Sequence, residues 1–216
     1  MALTFYYLSG SPFSWKVWLA LAYKRVPYEL KVLSVDAGDL RTPEFLAINP
    51  RQKVPAIVDD GFILYESAAI VEYLEDRYAS LGGKLWPQDV KARALARRIA
   101  LEADGYIYPQ VRKLVVELMM RREGQPDEMI ITEAKTQLRQ DFALVSQAFT
   151  GKFVSGEAPT AADFALYPLT AILERIQSRR PVHETFSVVP EHLRSWKARI
   201  EALPFFAATY PPHWKS

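Results

Sequence analysis

Two stretches of this chain bring hydroxyls to places where a helix could begin, and both suit the holding of an anion. In Ser9-Gly10-Ser11-Pro12, Ser11 stands where an N-cap belongs, and Pro12 stands at the first helical position, where its missing N–H costs nothing. In Glu66-Ser67, an acid and a hydroxyl precede an apolar-periodic run. A helix start offers unpaired N–H groups and the positive end of the helix dipole, so each stretch could stabilise negative charge or could be a plain cap. A third stretch, Thr160-Ala161-Ala162-Asp163, has the spacing of a capping box and reads as a folding device outside any site. The chain has no cysteine, which removes disulfides, thiolate-ligated zinc and every protein-thiol nucleophile. His183, His192 and His213 lack metal-ligand spacing and read as surface residues, so no metal is expected.

Strands must position those hydroxyls. Leu3 to Leu8 (LTFYYL) is β-branched and aromatic and ends at Ser9-Gly10, so it reads as a strand feeding the helical run after Ser11. Pro27 to Val35 reads as a second strand alternating at Tyr28, Leu30 and Val32, and Asp39 to Ala47 as a short irregular helix. Ala56 to Val58 and Phe62 to Tyr65 flank Asp59-Asp60-Gly61, a hairpin signal. Ser67 then caps a helix running from Ala68 to about Tyr78. The order over residues 1–80 is β-α-β-α-β-β-α, an α/β domain. Residues 81–88, with Gly82, Gly83 and Pro87, form a linker. Residues 89–216 show no convincing strand. Amphipathic stretches there run from Val90 to about Arg122, Asp127 to Phe149, Thr160 to about Ile176 and Glu191 to Ile200, which is an all-α domain.

This order of elements, together with local signatures, resembles the soluble glutathione S-transferase superfamily over essentially the whole chain. SGSPFSWKVWLAL is similar to the active-site turn of serine-type classes, NPRQKVPAIVDDG to the segment with a cis proline, and ESAAIVEYL to the γ-glutamyl-binding turn. EAPTAADF is similar to the N-capping motif of the second domain. The resemblance implies a thioredoxin-like glutathione-binding domain followed by a helical bundle domain. It implies that Ser11 donates its hydroxyl to the glutathione sulfur and stabilises the thiolate. Val54, before a cis Pro55, would bind the cysteinyl backbone, and Lys53 would pair with the glycyl carboxylate. Glu66 would take the α-amino group and Ser67 the γ-glutamyl carboxylate. Ser9, Ser14 and Tyr6 are rival donors to the sulfur, and the cysteine-type classes are excluded because Phe13 and its neighbours offer no thiol. A second substrate is expected between the domains, near Phe13, Tyr106, Tyr108 and Arg112.

The expected activity is conjugation of glutathione to a small hydrophobic electrophile, with glutathione as co-substrate and no metal. Two alternatives stay open: a non-catalytic binding or assembly module, and a zeta-like glutathione-dependent isomerase. The turn shares SPF with the tau-like pattern and SWKV with the zeta-like one, yet Phe13 fills the zeta cysteine position and Pro12 replaces one of its paired serines. Charged residues make up 24% of the chain and net charge is only +2, so neither nucleic acid nor a membrane is an expected partner. The basic run Lys91 to Arg98 reads as a solvated or dimer-facing helix. MALTFYYLSG reads as free of a leader pattern, so a cytoplasmic location is the expectation. Homodimerisation is expected from the resemblance.

Overall fold

The computed structural model describes residues 3–214; the outermost residues of the two expected domains, 1–2 and 215–216, lie outside the described residues. Two compact units divide the chain. The first holds residues 3–86 and 203–214, the second Pro87–Ala202. Residues 203–214 therefore pack with the sheet-containing unit, although the sequence groups them with the helices that precede them.

The first unit is built on a sheet of order β2-β1-β3-β4. Its strands are β1 (Leu3–Leu8), β2 (Tyr28–Leu33), β3 (Ala56–Asp59) and β4 (Phe62–Tyr65). β1 pairs parallel with β2 and antiparallel with β3, and β3 pairs antiparallel with β4. β1 lies inside the sheet and alternates strictly, with Leu3, Phe5 and Tyr7 buried. β2 is an edge strand, and Val32, expected on the covered face, is 61% exposed. The β3–β4 hairpin turns on Asp60 and Gly61, with φ of 49° and 83°, the left-handed pair a two-residue turn demands. α1 (Pro12–Lys24) and α3 (Ser67–Arg77) pack against each other, while a 3-10 turn (Asp39–Arg41) and α2 (Pro43–Ile48) connect β2 to β3.

Burial explains why α1 stays helical. Trp15, Val17, Trp18, Leu19 and Leu21 are all buried, so most of its circumference faces protein. At its far end the buried Lys24 pairs with Glu75 of α3 at 2.8 Å, and Glu75 also accepts the Leu85 N–H at 3.0 Å. Gly82 and Gly83 cross here so closely that a Cβ would meet the Lys24 backbone at 2.4 Å and the Tyr23 ring at 2.0 Å.

The second unit is helical. α4 (Val90–Glu102) runs through a π turn (Ala103–Ile107) into α5 (Tyr108–Val115) and a second π turn (Val116–Met120). Pro109, which has no N–H to donate, follows the first π turn. α6 (Glu128–Ser146), α7 (Ala161–Arg179) and α8 (Glu191–Glu201) complete the unit. α7 is its core, buried continuously from Ala161 to Leu173. Its N-terminus carries the expected box with Asp163 at the centre. Asp163 Oδ2 accepts from the Thr160 N–H at 2.7 Å and from its hydroxyl at 2.9 Å. Oδ1 accepts from the Val154 N–H at 2.9 Å and from Trp196 Nε1 at 2.8 Å. Burial pushes this carboxyl above its usual range while the four donors pull it down. No helix among the described residues is long and apolar enough to cross a membrane.

Candidate active site

The strand register decides what meets at the sheet's end. Ala56 of β3 sits opposite Tyr6 of β1 and Tyr65 of β4. The exits of β1 and β4 and the entry to β3 therefore lie at one end of the sheet. α1 starts two residues after the helix-ward turn of β1, and α3 starts directly after β4. Ser11, Val54-Pro55 and Glu66-Ser67, far apart in sequence, are brought together there by pairing alone.

The β1–α1 turn is tight. Gly10 has φ of 83°, and the Ser11 N–H donates back to the Leu8 carbonyl at 3.1 Å. Ser11 adopts φ −70° and ψ 121°, and its Oγ accepts the Ser14 N–H at 3.3 Å. A hydroxyl has two acceptor lone pairs and one proton, so this cap fixes Oγ and leaves the proton able to donate. Pro12 has no N–H, and Ser14 spends its own on the cap. Ser14 itself is buried, and among the described residues its Oγ has no hydrogen-bond partner. The Lys16 ammonium lies 5.5 Å from the Phe13 ring centroid and adds positive charge beside the turn.

Val54-Pro55 is a cis peptide, in keeping with the sequence expectation. The ladder of β3 begins only at Ala56, so the Val54 backbone lies beyond it. Asn49 anchors the loop by donating Nδ2–H to the Lys53 carbonyl at 2.6 Å, while the Lys53 side chain is exposed. At α3 the structure departs from the expected cap. Glu66, not Ser67, is the N-cap residue, at φ 74° and ψ 111°, and makes no side-chain capping bond; Ser67 is the first helical residue. A non-glycine held at that φ costs about 1–3 kcal/mol, a strain that recurs where a ligand is clamped. The consequence is an α3 N-terminus whose first N–H groups are not taken by a side-chain cap.

Tyr6 is half-buried, with its ring 5.9 Å from that of Phe45 in α2. Its neighbour Tyr7, which sequence reasoning did not single out, is buried and donates its hydroxyl to Ser9 Oγ at 3.1 Å. Burial pushes the Tyr7 phenol up, with bonds to Ser9 and the Gly10 backbone opposing, so it stays protonated at neutral pH. Ser9 Oγ is also 2.6 Å from His213 Nδ1, a contact no local signal in the sequence announces. Of the residues expected around a second substrate, Phe13 is half-buried at the start of α1, in the first unit. Tyr106, Tyr108 and Arg112 belong to the second unit. Tyr106 is 64% exposed and lines a cavity of about 320 Å³ with Gln137, Asp141 and Leu144 of α6. No group of His, Cys, Asp and Glu able to hold a metal ion occurs among the described residues.

A four-stranded sheet of this order, a cis proline before β3 and two helix starts at one sheet end define a thioredoxin-like unit, which a helical unit accompanies. Residues 10–77 match the glutathione S-transferase N-terminal domain family, and residues 107–204 match the glutathione S-transferase C-terminal domain family. The chain belongs to the glutathione S-transferase family and is a glutathione transferase. It is 32% identical over 195 residues to the probable maleylacetoacetate isomerase of Caenorhabditis elegans, with 88% of each chain covered. It is 29% identical to glutathione S-transferase 3 of Zea mays, over 96% of this chain and 92% of that protein. A glutathione S-transferase from the Antarctic clam Laternula elliptica superposes with a TM-score of 0.82 at 27% identity, covering 100% of this chain and 95% of its own.

Proposed function

We propose that the Ser11 hydroxyl holds the glutathione sulfur as a thiolate and that this sulfur attacks a small, largely apolar electrophile. The observation that carries the reading is the Ser11 cap. The Ser14 N–H fixes Oγ while the hydroxyl proton stays available, at the sheet end shared with cis-Pro55 and the α3 N-terminus. A free thiol has a pKa near 8.5, so only about 3% is ionised at pH 7. Lowering that pKa by two units needs about 2.7 kcal/mol of preferential stabilisation. One hydroxyl bond to a charged acceptor contributes about 1.5–3 kcal/mol and a helix N-terminus about 0.3–1 kcal/mol, so the turn is sufficient.

The same reading assigns the tripeptide. The Val54 backbone, next to cis-Pro55, pairs with the cysteinyl unit as an added strand. The α3 N-terminus and the Ser67 hydroxyl take the γ-glutamyl carboxylate, Glu66 the α-amino group and Lys53 the glycyl carboxylate. Phe13, at the start of α1, is the residue of the first unit that meets the electrophile. The protein works as a cytoplasmic homodimer.

A second reading is favoured by the names of several relatives, which are maleylacetoacetate isomerases from animals, an amoeba and a bacterium. The thiolate would add to one carbon of a cis double bond, the resulting single bond would rotate, and elimination would restore both thiolate and alkene. Glutathione is then unchanged overall. The Phe13 and Pro12 substitutions in the turn argue for conjugation as the main activity.

The deciding experiment titrates the thiolate absorbance of bound glutathione in wild type and Ser11→Ala, alongside turnover of an aryl halide and of a maleyl compound. The expected result is a bound-thiol pKa of about 6.5 in wild type that returns toward about 8.5 in the variant, with conjugation at pH 7 falling about 25-fold as the thiolate fraction drops. Undiminished turnover by Ser11→Ala removes Ser11 from the mechanism.

A further inference from the structure

Residues 203–214 lie in the same compact unit as the turn that presents Ser11, and their side chains converge on it. Trp15, in the first turns of α1, donates its indole N–H to Thr209 Oγ1 at 3.4 Å. Its ring is met by Phe206, Tyr210 and Trp214 at centroid distances of 6.3, 5.8 and 5.3 Å. This aromatic packing delivers His213 to the other side of the turn. His213 Nδ1 sits 2.6 Å from Ser9 Oγ, and a Cβ placed on Gly10 would come within 3.1 Å of the imidazole. The ring therefore fits against a glycine whose missing side chain makes room for it.

The contacts form a chain. The Gly10 backbone bonds the Tyr7 hydroxyl, the Tyr7 hydroxyl donates to Ser9 Oγ, and Ser9 Oγ shares a hydrogen bond with His213 Nδ1 whose direction follows the imidazole tautomer. Ser9 and Gly10 are thus gripped from the buried side by Tyr7 and from the outer side by His213, and Ser11 is the next residue along.

We propose that His213 is a positioning residue for thiol activation: by holding Ser9 and packing on Gly10 it fixes the turn that aims the Ser11 hydroxyl. The proposal rests on the thiolate reading above. His213 acts through the two residues it meets, Ser9 and Gly10. Loss of one ordering hydrogen bond changes rates by about five-fold, below the effect of removing Ser11 itself.

The test compares His213→Ala, His213→Asn, Ser9→Ala and the His213→Ala/Ser9→Ala double variant. Asn can place an amide atom where Nδ1 was, so it should restore what Ala loses. Expected for His213→Ala are a fall in kcat of about five-fold with a smaller change in the KM for glutathione, and an upward shift of the pH–rate inflection that reports the bound thiol. The double variant should fall short of the combined effects of the two single changes, because both cut the Ser9–His213 link. Amide hydrogen exchange at Ser11 and Ser14, whose N–H groups bond Leu8 O and Ser11 Oγ, should quicken in His213→Ala and recover in His213→Asn. Unchanged kinetics and exchange in His213→Ala overturn the proposal, as do fully additive effects of the two single changes. A wild-type protein that leaves the glutathione thiol unperturbed sinks the thiolate reading instead, and the exchange comparison then decides on its own whether His213 orders the turn.

Discussion

Replacing Asp163 by alanine should be among the most damaging single changes in the helical unit. Its carboxyl is fully buried and receives four donors: the Thr160 N–H and hydroxyl, the Val154 N–H and Trp196 Nε1. It joins the loop before α7, the start of α7 and α8 through one side chain. Each stranded buried donor costs about 1–3 kcal/mol, but the losses are not additive because the cavity relaxes, and breaking buried networks of this kind costs about 3–5 kcal/mol. Against a typical folding free energy of about 5–15 kcal/mol that is a large fraction. Asp163→Asn keeps an acceptor on one side only and turns an NH2 toward two donors, so it should cost about half as much. Burial raises the folded pKa of this carboxyl above its unfolded value. Its contribution is therefore fully present below the unfolded pKa of about 4 and declines as pH rises through the folded one. Asparagine does not titrate, so the deficit of Asp163→Asn should shrink with rising pH. Urea unfolding followed by circular dichroism at several pH values measures all of this. A midpoint shift for Asp163→Ala worth less than about 1 kcal/mol, or an Asn variant as damaged as Ala, would refute the network argument.

Glutathione should stabilise the wild-type protein in a concentration-dependent way, by about 2.7 kcal/mol at one hundred times its Kd, read as a rise in unfolding temperature that needs no turnover. Ser67→Ala should raise the KM for glutathione about five- to ten-fold with little change in kcat, because a charge-assisted bond made in ground and transition states alike is lost; a fall in kcat alone contradicts the assignment. Gly82→Ala should destabilise the first unit by about 2–4 kcal/mol, since its Cβ would lie 2.4 Å from the Lys24 backbone at φ 50°, with differential scanning calorimetry as the readout. The pH dependence of conjugation should rise through the pKa of the bound thiol and show no further inflection below pH 10 from Tyr7, whose phenol is pushed up by burial.

Much of the local structure, including the turns at the candidate site, was legible because its parts are local. A serine before a proline at a helix start, an Asp-Gly turn and a threonine three residues before an aspartate each follow from sterics and hydrogen bonding within a few residues. The helices and strands came from periodicity, which survives wherever one face is buried; it misled only at Val32, where the strand is an edge. The cap of α3 shifted by one residue because Glu66 takes a left-handed conformation that no side-chain pattern encodes.

Local sequence thus determined the element types, most of the helix starts and the absence of any protein thiol. Tertiary structure alone decided which of these meet: strand register gathered Ser11, cis-Pro55 and Ser67 at one sheet end, and the aromatic packing of residues 203–214 set His213 against Ser9 across more than 200 positions. A hydrogen bond between residues so distant leaves no spacing to read, because it depends on the closure of the whole unit rather than on the torsions of its neighbours.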